Sequence, residues 1–279
     1  MSELYKCTLS AEDYLYAEEY LGETESIRND SIREIQEWIQ DNPHIKARND
    51  PVSILHFLRG CKFDIPKTIA KIKHFYLARS KVPEWYQNRD PHLCEIQELV
   101  DLGVFLPLKT KDAHNRLIVV IKAAAHDPKK HLQDDVFKIG QMIMDLALHL
   151  DESVSVYGVV AIFDLENVTL GHALQLHPGM IKKLVDSWKF YPTMVKRLDF
   201  VNAPSFVNIV LDVFMKFMTK KLRDRVTVHR TGLLDIPGLP EECVKNPKMF
   251  FKDLTNYWKE QLNLYRDWLK NDMSTNQQT

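Results

Sequence analysis

Tyr157-Gly-Val-Val-Ala-Ile-Phe-Asp164 is an apolar run that ends on an acid, and it reads as a buried strand. An amphipathic helical segment follows and stops at Phe190-Tyr191-Pro192. A second strand-like run, Arg197-Leu-Asp-Phe-Val-Asn202, is closed by Ala203-Pro204. Directly after it the spacing predicts a helix over 206–218. In that helix Asn208, Asp212 and Lys216 recur every four residues as one narrow stripe, and the rest is apolar. A surface helix normally buries one face, so this one must bury nearly all of itself or meet something apolar. Periodicity alone admits a helix sandwiched in the core, and equally a lid over a hydrophobic cavity that also touches membrane. Lys220, Lys221, Arg223 and Arg225 come next. Basic residues beside an apolar helix suit an anionic lipid surface, and equally the C-terminal end of a solvated helix.

Upstream, the first hundred residues read as helices. Ile27, Ile32, Ile35, Trp38 and Ile39 form a helical stripe closed by Asp41-Asn42-Pro43. Asp50-Pro51 reads as an N-cap followed by proline at the first helical position, with Gly60 as the stop. Asp64 caps a helix carrying Ile65, Ile69, Ile72 and Tyr76, and another apolar segment runs from Leu93 to Val100. The character then changes. Val104–Leu108 and Leu117–Ile121 are strand candidates around a polar turn, and 134–150 is a helix with Val136, Ile139, Ile143 and Leu146 on one face. Helical material fills 170–189, and Val226-Thr-Val228 is a last strand. Strands alternating with helices give the fold class α/β, a mostly parallel sheet preceded by an all-helical segment. The expected division is a helical domain at 1–100, a sheet domain at 101–250, and a C-terminal helix, 250–270, with a polar tail, within 251–279.

Several activities lose support from the residues. A net charge of −1 gives no field for nucleic acid. Four dispersed cysteines without C-x-x-C fit a reduced, cytoplasmic compartment rather than a disulfide framework or zinc site. There is no G-x-G-x-x-G, P-loop, G-x-S-x-G or H-E-x-x-H. Asp164 and Glu166 stand where α/β ligands bind, at the carboxyl edge of a strand. With no companion motif they read as acids capping the next turn, and a hydrolase built on them and a histidine has no further support. His126-Asp127-Pro128 reads as a turn. No enzyme activity, cofactor or metal is expected, and no run is long enough to span a bilayer.

Seven segments carry a resemblance. Ser53-Ile-Leu-His-Phe-Leu-Arg-Gly-Cys-Lys-Phe-Asp64 resembles the helical N-terminal signature of the CRAL-TRIO lipid-binding family. Ala161–Glu166, Tyr191-Pro192, Val201–Pro204 and Val226–His229 resemble its lipid-binding domain in the same order. Ala125-His-Asp-Pro-Lys129 and Asp135-Val-Phe137 are similar to its tocopherol-transfer and retinaldehyde-binding branch. The resemblance implies a sheet as pocket floor, helices as walls, and a mobile gate helix over 206–218. It implies a cytosolic carrier, transiently membrane-associated and monomeric, that moves one tocopherol-, retinoid- or carotenoid-like lipid between membranes. Phosphatidylinositol or phospholipid exchange or sensing is the alternative.

By position, the resemblance assigns the lipid pocket to Phe137, Gly140, Met144, Val159, Phe163, Val195, Leu198, Phe206, Ile209, Val210 and Val213. Gly140 and Met144 replace serines, which makes that end less polar. Relatives hold phosphoinositide headgroups in a basic cleft, but Cys61, Met194 and Met215 remove charge from it and Lys196 alone keeps it. Lys62, Arg197 and Lys216 lie one residue from lost positions. Membrane or anionic-lipid contact is thus expected at Lys196, Arg197, Lys216, Lys220 and Lys221.

Overall fold

The computed structural model describes residues 5–271. The helical layer comprises α1 (Ala11–Leu21), α2 (Glu25–Asp41), α3 (Pro51–Cys61), α4 (Ile65–Ser80), α5 (Pro83–Tyr86) and α6 (Cys94–Asp101). Ser10, Thr24, Asp50 and Asp64 each accept a hydrogen bond from a first-turn amide, so every long helix here starts on a side-chain cap. Helix α1 was not expected, although Ser10 and the left-handed Gly22 (φ 76°) mark its two ends. Gly60 is not the stop of α3. The helix runs through it to Cys61, and Lys62 takes the left-handed cap at φ 55°. A side chain on Gly60 would sit 3.1 Å from Lys71 Nζ, the end of a flexible side chain, and 3.5 Å from the Pro192 carbonyl oxygen, so the backbones approach closely there.

The sheet region runs β1 (Phe105–Pro107), β2 (Leu117–Lys122), α7 (Gln133–Leu150), α8 (Ser153–Tyr157), β3 (Val159–Asp164), α9 (Leu170–Gln175), α10 (Pro178–Phe190), β4 (Val195–Val201), α11 (Val207–Phe217), α12 (Lys220–Arg223) and β5 (Val226–Val228). Tyr157 closes α8 instead of opening β3. Gly158, at φ 88°, makes the turn, and a Cβ there would collide with the Met194 carbonyl oxygen at 2.4 Å. The 170–189 stretch is two helices, because Pro178 begins α10 and His177 caps it by accepting from the Met180 amide. The chain closes with α13 (Glu241–Lys245), α14 (Pro247–Leu264) and α15 (Arg266–Asn271). The single helix expected over 250–270 is thus interrupted at Tyr265 (φ −100°, ψ 21°), and the tail expected beyond Asn271 lies outside the described residues.

Strand order follows chain order, β1 to β5, with β1 antiparallel to β2 and the remaining pairs parallel. The register aligns Leu117, Val159 and Val195 in one row, Val119, Ala161 and Leu198 in the next, and Ile121, Phe163 and Phe200 in a third. Those rows face one side. Alternation would put Val195 and Leu198 on opposite faces, since they are three residues apart. Lys196 resolves this: the register steps from Val159↔Val195 to Val160↔Arg197, so Lys196 is the extra residue of a β-bulge. On the other side, Ile118, Val120, Val160, Ile162 and Val201 are buried in one cluster with Leu233, Ile236, Cys243, Phe251 and Leu254.

Two buried ionic networks join the helical layer to the sheet region. Arg59, 0% exposed, donates to Glu23 at 2.7 Å and to Glu152 at 2.8 Å, and Glu152 also accepts from Tyr5. Asp145 accepts from Arg79 at 2.7 Å, from Arg89 at 2.8 Å and from the Tyr191 hydroxyl at 2.8 Å.

Candidate functional site

One face of the sheet, with α7, α9, α10 and α11, encloses a cavity of about 210 Å³. Its floor is Val119, Ile121, Val159, Ala161, Phe163, Val195, Leu198 and Phe200, the rows set by the register above. Phe163 stacks on Phe200 with ring centroids 4.7 Å apart and meets Trp188 of α10 at 5.8 Å. Trp188 in turn stacks on Phe214 of α11 at 5.8 Å and 14°. A continuous aromatic column therefore runs from floor to covering helix. On the α7 wall, Gly140 lets the Phe105 ring lie where a Cβ would be 3.2 Å from it.

Most polar groups on the lining are already engaged. The Tyr191 hydroxyl donates to Asp145, Thr193 Oγ1 to the Val154 carbonyl at 2.9 Å, and Ser187 Oγ to the Leu184 carbonyl at 2.7 Å. His126 Nδ1 and Gln141 Oε1 are buried and have no hydrogen-bond partner among the described residues. Asp164 accepts from the Glu166 amide at 3.1 Å and from Asn202 Nδ2 at 2.8 Å, so it holds the turn after β3, as expected of an acid at a strand end. Among the described residues no three His, Cys, Asp or Glu gather into a metal-binding group, and no helix is long and apolar enough to cross a membrane.

Residues 103–236 match the family model "CRAL/TRIO domain". This is a CRAL-TRIO domain. Residues 24–96 match a second model, "Pinta-like, UBA domain". Human Clavesin-2 is 24% identical over 227 residues, covering 81% of this chain and 69% of that protein. Human "Alpha-tocopherol transfer protein-like" is 21% identical over 231 residues, 82% and 67% of the two chains. The crystal structure of Sfh5 aligns over 74% of this chain and 81% of its own, at 14% identity and a TM-score of 0.49.

Of the expected pocket residues of the CRAL-TRIO domain, Phe137, Gly140, Met144, Val159, Phe163, Val195, Leu198, Phe206 and Val210 line the cavity. Ile209 and Val213 do not. Helix α11 buries Val207, Leu211 and Phe214, so its opposite face carries Ile209, 72% exposed, beside Asp212 and Lys216. Val213 is only partly buried and packs on the neighbouring core. The helix therefore has one inward face and one exposed face, and the fully sandwiched alternative does not apply. His126 was read as part of a turn. The turn exists, with the Lys129 amide donating to Asp127 at 2.8 Å, but the His126 ring is also 4% exposed and lines the cavity.

The basic residues divide into two sets. Arg197 pairs with the buried Asp199, Lys220 pairs with Asp224 at 2.8 Å, and Lys216 is exposed on α11. Lys196 and Lys221 belong instead to an unneutralised cluster with Lys62, Lys67, Lys71 and Arg225. Burial, then the charges of Arg225 and Lys62, lower the Lys196 pKa. Arg225, then burial, lower that of Lys221. Burial first, then Lys67 and Lys221, bring Lys71 down to about 8, with Cys61 opposing. Mutual depression of this kind marks cations gathered without matching anions. Several large apolar side chains next to lining residues in the chain are exposed. Leu132 (66% exposed), Leu170 (64%), Leu174 (81%) and Ile209 each lie within two residues of a lining residue.

Proposed function

We propose that the protein is a cytoplasmic carrier that takes one small hydrophobic lipid into the cavity and delivers it at a membrane surface. The observation that carries this reading is an apolar cavity over a sheet floor, covered by a helix whose outer face is itself part apolar. Each 100 Å² of apolar ligand surface removed from water contributes about 2.5 kcal/mol, offset by the cost of association. A volume of about 210 Å³ is below the roughly 300–1,000 Å³ of small-molecule sites. Loading therefore requires the walls to yield, and α11, tied to α10 through Phe214 and Trp188, is the element placed to do so. Leu132, Leu170, Leu174 and Ile209 would enter the headgroup region as it opens, while the cluster around Lys196 and Lys221 attracts anionic lipid. The function needs no bond chemistry, and one protomer suffices.

Tocopherol-, retinoid- and carotenoid-like lipids fit the apolar lining, and the relative named alpha-tocopherol transfer protein-like supports that class. Mass spectrometry of lipid extracted from the native protein tests the reading. A single apolar lipid at near-stoichiometric amount is the expected result; failure to bind any retinoid, tocopherol, carotenoid or phospholipid at saturation would sink it. The basic cluster favours a second reading, exchange of phosphatidylinositol. Transfer of labelled phosphatidylinositol between vesicles, abolished by Lys196→Glu with Lys221→Glu, would place that reading first.

A further inference from the structure

We infer that His126 is the polar anchor of the cavity, and that it selects a lipid carrying a hydrogen-bond donor, an alcohol or phenol, over the corresponding aldehyde, ketone or ether. This rests on the carrier reading above and names the ligand's polar end.

Gln175 is the chain neighbour of Leu176, a lining residue. Its Nε2 donates to the Pro128 carbonyl at 3.0 Å and to the His131 carbonyl at 2.9 Å. The amide can have only one orientation, since a half-turn would aim its oxygen at two carbonyl oxygens. Gln175 Oε1 is therefore an acceptor, and it faces His126 Nε2 at 3.3 Å. His126 must carry its proton on Nε2. Burial pushes the His126 pKa down, against the Gln175 hydrogen bond, so the ring is neutral near pH 7. Nδ1 then holds a lone pair and no proton.

The surrounding histidines leave that lone pair unused. His172 accepts from the Thr169 amide on Nδ1 at 3.2 Å, and its Nε2 donates to the His126 carbonyl at 3.0 Å. His131 accepts from the Asp127 amide on Nδ1 at 3.0 Å, and its Nε2 faces Glu98 at 3.5 Å. Both rings hold His126 in place without reaching Nδ1. The side chain is more than nine-tenths buried, lines the cavity, and has an unpartnered acceptor. An unmade hydrogen bond of this kind costs the fold free energy that a ligand hydroxyl returns. Gln141 Oε1, also buried and unpartnered, adds a second acceptor on the lining, but its amide can turn to present either end. His126 cannot, because Gln175 fixes its tautomer.

Farnesol, farnesyl methyl ether and farnesal share one chain and differ only at the head, so they serve as probes. Titrated into the purified full chain, farnesol is expected to bind about five- to tenfold more tightly than the other two, the size of one recovered hydrogen bond. His126→Phe, which keeps a ring of similar bulk, is expected to erase that preference, so that farnesol, its ether and farnesal bind the variant with equal affinity. Gln175→Leu, which releases the tautomer along with the bonds to the Pro128 and His131 carbonyls, is expected to weaken the preference without abolishing binding. In the unmutated protein, the ¹⁵N signal of His126 Nδ1 is expected to move toward a hydrogen-bonded value with farnesol and to stay fixed with the ether. Equal affinity for the three probes, or an unmoved Nδ1 signal at farnesol saturation, overturns the anchor while the carrier reading stands. Failure of all three to bind, together with an empty lipid extract, overturns both.

Discussion

The seam between helical layer and sheet region and the cavity a few ångströms beyond it are both interior, yet they are built on opposite rules. At the seam, charges are buried and saturated: Arg59 engages Glu23 and Glu152, and Asp145 collects Arg79, Arg89 and Tyr191. In the cavity, charges are absent from the lining and two polar atoms are left unpaired. The seam is satisfied without help and resists rearrangement, because removing one partner strands another ion. The cavity, by contrast, is left incomplete. Rigidity and receptivity thus sit on two sides of α7.

The largest effect is expected at the seam. Arg59→Ala leaves Glu152 without its cation and Glu23 with Arg28 alone, at 3.3 Å, and should cost about 3–5 kcal/mol in chemical denaturation. Lipid affinity of the molecules that remain folded should be unchanged; a comparable loss of affinity would erase the contrast between the two interiors. Next comes pH. Burial first, then the charge of Arg59, depress His56 to about 3 from the usual 6.5, so the folded state excludes its proton while the unfolded chain takes it up. Stability from this group is complete above pH 6.5 and declines as pH falls toward 3, by about 2 kcal/mol between pH 7.5 and 5. Thermal unfolding of His56→Leu at the two pH values should lack that share of the difference. The smallest effect on stability belongs to the cavity wall. Phe214→Leu cuts the aromatic column at α11 and should cost about 1 kcal/mol while speeding lipid release severalfold in a vesicle-transfer assay. Unchanged release would move the opening element away from α11.

How much of this was legible in the chain depends on the distance over which each feature is encoded. The strand 159–164, the helix at 207–217 and the caps at Asp50 and Asp64 are local patterns, and they were readable. Nine of the eleven pocket positions implied by the resemblance lie on the lining, because its segments keep their order, but other lining residues, Trp188, Phe200 and Phe214 among them, were not implied by it. Ile209 was misplaced because a nearly all-apolar helix does not declare which apolar residue faces out; neighbours on other elements decide that. The partnership of Arg59 with Glu23, 36 residues away, and with Glu152, 93 away, has no local trace. His126 shows the same limit differently. A His-Asp-Pro turn looks alike whether its ring meets water or a cavity, and only Gln175, 49 residues on, settles the tautomer.

The extra residue in β4 has a consequence for how this strand can change. Seven residues occupy a strand whose pleat counts six, and Lys196 is the supernumerary one. Deleting Leu198, Asp199 or Phe200 instead would, with the bulge gone, turn Arg197 toward the cavity. Removing Lys196 would leave Val195, Leu198 and Phe200 facing as they do now. The Lys196 charge therefore resides on the one position of the strand that belongs to neither face, where it can be changed, or discarded, without editing the pocket.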